Sequence, residues 1–327
     1  MDVVNVKKAG LGKAPVVLRE IISPTPDPTS PIGLVGCGRM GRPMLGHMLA
    51  GGFHGVVFDS NAMAAEGLPN VRVAKSAREV ADACTIVFGC VPTVEAYDAT
   101  VLGSGGVIEG RMVSVYVHLG TTGLRHVQHL TEKLTGSGIT VLDAPISGGV
   151  DRAVAGTLAS MVAGPRPALD AARPLIDLYS AAVVDLGPEP SAAQAVKLIN
   201  NMLSAANLAL AIEGLLAGVK AGIDPAVLVQ LLRRGTGNSD ALSTKVIGHV
   251  LPRTFDWGGS LEVIAKDMTA WREMADGLDL QCPLSRKVHE TYMEAIRQLG
   301  KQADMTDIAR YLEGIERVTI PAVRATK

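Results

Sequence analysis

The feature that most restricts what this chain can fold into is a glycine-spaced turn, Gly36-Cys37-Gly38-Arg39-Met40-Gly41. It sits between an apolar strand candidate at 32–35 and a helical stretch at 40–50. In such a strand–turn–helix unit the first glycine permits the tight turn. The second lets a pyrophosphate approach the backbone, and the third allows the helix to pack closely on the strand. The helix start adds N–H donors and a positive dipole for the phosphates. Gly36, Gly38 and Gly41, with Arg39 and Met40 between them, are therefore candidate dinucleotide contacts. The next strand candidate, 55–58, runs into Asp59. A carboxylate at that point accepts hydrogen bonds from the adenosine ribose hydroxyls and repels a 2′-phosphate. Ser60 and Asn61 bring no cation beside it, so the sequence favours NAD(H) over NADP(H).

The pattern around this turn predicts an α/β domain. Short apolar strand candidates at 32–35, 55–58, 86–89, 112–116, 140–143, 158–163 and 182–186 are interleaved, in the early part, with helical segments such as 40–50 and 77–83. That alternation reads as βαβ units building a largely parallel sheet, with irregular connections that leave the later strands free to run antiparallel. After Pro190 the strands stop. The stretch 191–222 reads as one long helix, and Asp224-Pro225 has the N-cap and N1 residues of another. Further helices are expected at 241–249, 261–277, 284–300 and 305–317. The expected organisation is a flexible, proline-rich arm over 1–30, a dinucleotide-binding domain over 31–190, and an all-helical domain over 191–320.

Composition excludes several alternatives. A chain of 327 residues can hold two cores, and a net charge of −1 leaves no basic field for nucleic acid. Hydrophobic residues make up 47% but aromatics only 3%, an aliphatic bias that fits helices packed on a parallel sheet. The longest apolar runs are broken before the roughly 20 residues of a membrane span, so no membrane association is expected. The four cysteines have neither metal nor disulfide spacing. They read as free thiols of a cytoplasmic protein, with no metal site. No signal peptide is evident at the N-terminus.

The stretch Lys197-Leu198-Ile199-Asn200-Asn201 places an amine and an amide one turn apart on one helix face. Oxidation of a carbinol carbon releases a hydroxyl proton along with the hydride, and a nearby amine can take it. An exposed lysine has a pKa of about 10.4, and burial in a cleft lowers it into the range useful for proton transfer. Apolar neighbours flanking Lys197 are a poor setting for a solvated lysine.

In these stretches the chain resembles the β-hydroxyacid dehydrogenase family, which includes 3-hydroxyisobutyrate dehydrogenase and tartronate semialdehyde reductase. The resemblance runs from about residue 32 to 317 and its motifs occur in family order: the turn at 33–41, then Asp143-Ala144-Pro145-Ile146-Ser147-Gly148-Gly149, then Lys197 to Asn201, then Lys266-Asp267. It implies a Rossmann-type domain followed by an all-α domain, and hydride transfer between nicotinamide and a small β-hydroxy acid or its semialdehyde. By the same resemblance Lys197 is the general acid/base and Asn201 orients the substrate or the lysine. Ser147, Gly148 and Gly149 hold the substrate carboxylate, Val91, Pro92 and Thr121 line the nicotinamide side, and Lys266 approaches the nicotinamide from the helical domain. It also implies a homodimer or homotetramer joined through that domain. The family usually has an acid and then Ser-Thr where this chain reads His118-Leu119-Gly120-Thr121. His118 is expected to be packed rather than catalytic, and the wider pocket is expected near Trp257 and Trp271. Imine reductases share the architecture but replace the lysine. A non-catalytic cofactor-binding module would lose the lysine or add domains, and a 6-phosphogluconate-type enzyme would need cations for a substrate phosphate.

Overall fold

The computed structural model describes residues 29–323 of the chain; the arm expected over 1–30 falls almost wholly outside them. Six parallel strands form the main sheet: β1 Ile32–Val35, β2 Gly55–Phe58, β3 Val71–Val73, β4 Ile86–Gly89, β5 Val115–His118 and β6 Thr140–Asp143, in the order β3-β2-β1-β4-β5-β6. The strands are nearly all apolar because both faces are covered, as buried parallel sheets require. On one side Met44, Leu45 and Met48 of α1 (Gly41–Ala50) pack against Leu34, Phe88 and Val117. On the other, Val80 and Ala81 of α2 (Ala77–Ala81) lie with Tyr97 of α3 (Val94–Tyr97) and Leu130 and Leu134 of α4 (Leu124–Gly136). The strand order reverses between β1 and β4, which opens a crevice at the carboxyl ends of those two strands.

The structure corrects the expectation of one continuous sheet. The last strands form a separate three-stranded sheet of β7 Ile146–Ser147, β8 Leu158–Val162 and β9 Ser180–Asp185. β7 pairs antiparallel with β8, whereas β8 and β9 are parallel. Between them lie α5 (Gly149–Ala155) and α6 (Arg166–Ile176). β5 begins at Val115 rather than at 112, and the edge strand β3 was not anticipated.

Among the described residues no strand follows β9. The helical domain is built around α7 (Ser191–Lys220), with α8 (Pro225–Leu232), a π-helical segment Leu242–Val250, α9 (Leu261–Gly277), α10 (Pro283–Leu299) and α11 (Ile308–Glu316). Asp224 caps α8 by accepting from the N–H groups of Ala226 and Val227 at 2.8 and 3.1 Å. Leu208, Ile212, Leu215 and Leu216 of α7 are buried with Val246, Leu261, Tyr292 and Leu312. Burial of each such aliphatic side chain contributes about 1.5–3 kcal/mol. Contrary to the reading of broken apolar runs, α7 is long and apolar enough by composition to cross a membrane. Its buried face is the core of this domain, as in the central helix of many water-soluble bundles.

Candidate active site

The glycine turn follows β1 and opens into the crevice between β1 and β4. Gly36 has φ +94, and a Cβ there would come within 2.3 Å of the Cys90 carbonyl oxygen. A Cβ on Gly41 would lie 2.1 Å from the Gly36 carbonyl oxygen. The protein's own backbone therefore demands the first and third glycines. The second is different: a Cβ on exposed Gly38 would meet no protein atom within 4 Å. What needs a glycine there is a group entering the crevice, and the turn fits a pyrophosphate. Val91 borders the same crevice, its Cγ1 3.0 Å from the position of a Gly36 Cβ, and Pro92 follows it exposed.

Asp59 lies at the turn as well. Its Oδ2 accepts from the Cys37 N–H at 2.7 Å and its Oδ1 from the Asn61 N–H at 2.8 Å. The fold adds a cation that the residues next to Asp59 did not reveal. Arg42 of α1 reaches over and donates to the carbonyls of Ala64 and Glu66, both at 2.6 Å. Arg39 points the other way, donating to the Gly258 carbonyl of the helical domain at 2.6 Å. Met40 is half-buried against the core under the main sheet.

At the other end of the crevice a polar cluster spans both domains. Lys197 is only 8% exposed, and burial lowers its pKa from 10.5 to about 8. The Asp267 carboxylate opposes that shift, while Lys266 and Lys245 add to it. Asn201 does not hold the lysine: it donates to Asp267 Oδ2 at 2.6 Å. Asn200 donates to Ser147 Oγ at 3.2 Å and to Asn201 Oδ1 at 3.1 Å. Lys266 pairs with Asp267 at 3.0 Å and donates to the Thr121 carbonyl. One chain of contacts thus runs Ser147, Asn200, Asn201, Asp267, Lys266, Thr121. Lys197 lies within its electrostatic field. Gly148 and Gly149, beside Ser147, have φ +139 and +75, conformations that L side chains rarely adopt.

A second network ties the start of α7 to the carboxyl ends of β5 and β6. Gln194, fully buried one turn before Lys197, donates to Asp143 Oδ1 at 2.8 Å and to the Gly120 carbonyl at 3.0 Å. Its own carbonyl oxygen accepts from the N–H groups of Thr122 and Gly123 at 3.0 and 3.1 Å. The Gln194 N–H donates to Asp143 Oδ2 at 3.1 Å. Burial holds the Asp143 carboxyl well above the usual carboxylate range.

The two departures from the family pattern explain each other. His118 is fully buried, with Nε2 3.0 Å from Thr122 Oγ1 and its ring 4.3 Å from that of Tyr97. Burial lowers its pKa to about 3, so it stays neutral. The Tyr97 hydroxyl donates to the Gly89 carbonyl at 2.9 Å and fills the space a side chain at 120 would need, since a Cβ there would sit 2.4 Å from that hydroxyl. Trp257 borders Gly149, with Cζ2 3.3 Å from the position of a Cβ there. Trp271 does not line the pocket: its Nε1 donates to Ser285 Oγ at 2.9 Å and its ring packs with Leu198 and Ala275.

Sequence reasoning missed Gln194, Asn200 and Asp267. Gln194 and Asn200 share the α7 face of Lys197 at spacings of three residues, a signal that was present. Nothing local marked Asp267 beyond its place after Lys266.

A glycine turn at the strand-reversal point, joined to a buried lysine on a helical second domain, defines a nicotinamide-dependent oxidoreductase of the two-domain hydroxyacid type. The first domain matches the NAD-binding domain of 6-phosphogluconate dehydrogenase over residues 31–187, and the second matches the NAD-binding domain of NADP-dependent 3-hydroxyisobutyrate dehydrogenase over 191–312. The chain is 32% identical to 3-hydroxyisobutyrate dehydrogenase of Pseudomonas aeruginosa, over 65% of this chain and 72% of the relative. It is 26% identical to 2-(hydroxymethyl)glutarate dehydrogenase of Eubacterium barkeri, over 88% of this chain and 97% of the relative. Among solved structures, Psf3 in complex with NADP+ and 2-OPP aligns with TM-score 0.79 and 26% identity, covering 86% of this chain and 99% of that one. The chain belongs to the β-hydroxyacid dehydrogenase family.

Proposed function

We propose that this protein is an NAD-dependent dehydrogenase of a small β-hydroxy acid, with Lys197 as its general acid/base. The observation that carries this reading is the burial of Lys197, which brings its pKa to about 8 beside the Asn201, Asp267 and Lys266 contacts that reach Thr121 of the first domain. A nicotinamide cofactor held by the glycine turn and Asp59 would supply or take up the hydride at the carbinol carbon. Lys197, as the neutral amine, takes the hydroxyl proton during oxidation; as the ammonium it returns a proton to the carbonyl oxygen during reduction. Ser147 and the backbone of Gly148 and Gly149 hold the substrate carboxylate, and Asn200 fixes the Ser147 hydroxyl. Asn201 and Lys266 secure Asp267, which stabilises the ammonium form of Lys197. Thr121, Val91 and Pro92 border the nicotinamide end. Retention of the lysine disfavours imine reduction. The test is a panel of β-hydroxy acids with NAD+ at mildly alkaline pH, followed at the reduced-nicotinamide absorbance; no turnover with any of them overturns the reading.

Preference for NAD(H) is supported by the Asp59 carboxylate and by the engagement of Arg42 with two backbone carbonyls rather than open solvent. Asp59→Ala is expected to relax discrimination against NADP(H), read as the ratio of kcat/KM with the two cofactors. Tighter binding of NADPH than NADH by the unaltered protein overturns that preference. A homodimer or homotetramer is supported by Ile199, Leu203 and Leu210, apolar and 41%, 50% and 59% exposed along α7. Light scattering of Leu203→Glu against the unaltered chain tests it. A cytoplasmic location is supported by four cysteines that are all unpaired.

A further inference from the structure

We propose that Lys245 is a second anionic anchor of the substrate cleft, so that the enzyme takes a hydroxy acid carrying a second carboxylate at its far end. The inference rests on the dehydrogenase reading and narrows its substrate class. Lys245 lies on the π-helical segment Leu242–Val250 and is 7% exposed, yet its ammonium has one hydrogen bond, to Ser204 Oγ at 3.0 Å. Among the described residues no carboxylate forms an ion pair with it. Asp240, whose field reaches it, is engaged with Arg152 at 3.5 Å.

Such a group is expensive to keep. Burying an ammonium without a counter-ion is strongly unfavourable, and a hydroxyl with an aromatic face offsets only part of that. A lysine with a purely structural role would carry a carboxylate or give way to an apolar side chain. An incoming anion supplies the missing partner.

The surroundings say where that anion sits. The Lys245 ammonium is 5.0 Å from the centre of the Trp257 ring. Trp257 borders Gly149, which adjoins Ser147, and Ser147 is joined to Asn200 of α7. Ser204 follows Asn200 by one turn on the face that carries Lys197. Lys197 and Ser204 thus stand on one face of α7, and Lys245 meets that face at Ser204, two turns beyond Lys197. Seven residues of helix separate Lys197 from Ser204, about 10 Å of rise. A substrate of roughly five carbons, met by flexible lysine side chains, suits an interval of that order. A single lysine is a point charge suited to one carboxylate.

Titration calorimetry of the full chain with NAD+ present, using glutarate and butyrate as probes, tests the anchor. Glutarate is expected to bind about tenfold more tightly, with the difference abolished in Lys245→Met and partly restored in Lys245→Arg. Equal affinities in the unaltered protein, no binding of glutarate, or a difference that survives in Lys245→Met each overturn the proposal. In turnover, Lys245→Met is expected to raise KM for 2-(hydroxymethyl)glutarate about tenfold more than for 3-hydroxyisobutyrate. An equal loss with both acids assigns Lys245 a structural role and overturns the proposal. If the unaltered protein oxidises neither of these two acids, the calorimetry alone decides the anchor, and the wider panel of β-hydroxy acids decides the dehydrogenase reading.

Discussion

The amide of Asn201 donates to the carboxylate of Asp267 at 2.6 Å, joining α7 to α9 beneath the buried amine of Lys197. The one-turn spacing of Lys197 and Asn201 thus serves an indirect purpose. Asn201 and Lys266 hold the carboxylate, and the carboxylate tempers the loss of charge on Lys197 that burial drives.

Replacement of that amine separates its chemistry from its cost to stability. Lys197→Met is expected to lower kcat by about 10²–10⁴ while cofactor binding persists, measured by stopped-flow turnover and fluorescence titration. The depression of the pKa from 10.5 to about 8 corresponds to up to about 3 kcal/mol against burying the ammonium. The variant should therefore melt at a higher temperature at neutral pH. Between pH about 8 and 10.5 the unfolded chain binds more protons at this lysine than the folded one, so this group's contribution to stability improves as pH rises through that window. The advantage of Lys197→Met should shrink accordingly, and a variant that melts lower than the parent contradicts the assignment of a buried charge whose desolvation outweighs the attraction of Asp267.

The same titration sets opposite pH profiles for the two directions of reaction. Oxidation needs the neutral amine and should rise with pH through about 8, whereas reduction needs the ammonium and should fall through about 8. His118, held neutral with a pKa of about 3, should contribute no limb between pH 5 and 9. Initial rates across that range, in both directions, check the signs; parallel profiles would remove Lys197 from the proton transfer.

Gln194→Leu should destabilise the protein more than an ordinary surface change. It leaves the Asp143 carboxyl, the Gly120 carbonyl and two backbone N–H groups short of partners in the interior. A loss of about 2–4 kcal/mol in denaturant unfolding is expected. A loss under about 0.5 kcal/mol would show that the network is not holding α7 in place.

Gly120→Ser, which installs the residue usual in the family, should also be unfavourable here. Its Cβ would fall 2.4 Å from the Tyr97 hydroxyl, so a loss of about 1–3 kcal/mol is expected. Adding Tyr97→Leu should return part of that stability. Thermal melts of the single and double variants distinguish this coupling from independent effects.

What the sequence revealed follows from where each constraint acts. The glycine turn and the Lys197 stretch were legible because their demands are local: a positive φ, a close backbone approach, a one-turn spacing. Two strands of the small sheet were legible as the apolar runs 158–163 and 182–186, but β7 and the split into a second sheet were not. β7 has two residues, too few to show a strand's alternation, and its glycine-rich continuation reads as a turn. β3, three residues long and largely exposed, gave no apolar run. Gln194 escaped notice because its partners lie 51 to 74 residues away along the chain. Arg42 was overlooked beside Asp59 because the contact crosses from a helix to a later loop. Tyr97 gave no hint that it occupies the space vacated at Gly120.

α7 is unbroken from Ser191 to Lys220, so Gln194, Lys197, Asn200, Asn201 and Ser204 are graduations on one rigid rod. Loops elsewhere can drift without altering the interval between the proton-handling end of the cleft and its far wall. Moving a side chain by a whole turn of that rod therefore resets the interval on the α7 side, while the segment that carries Lys245 sets the opposing wall.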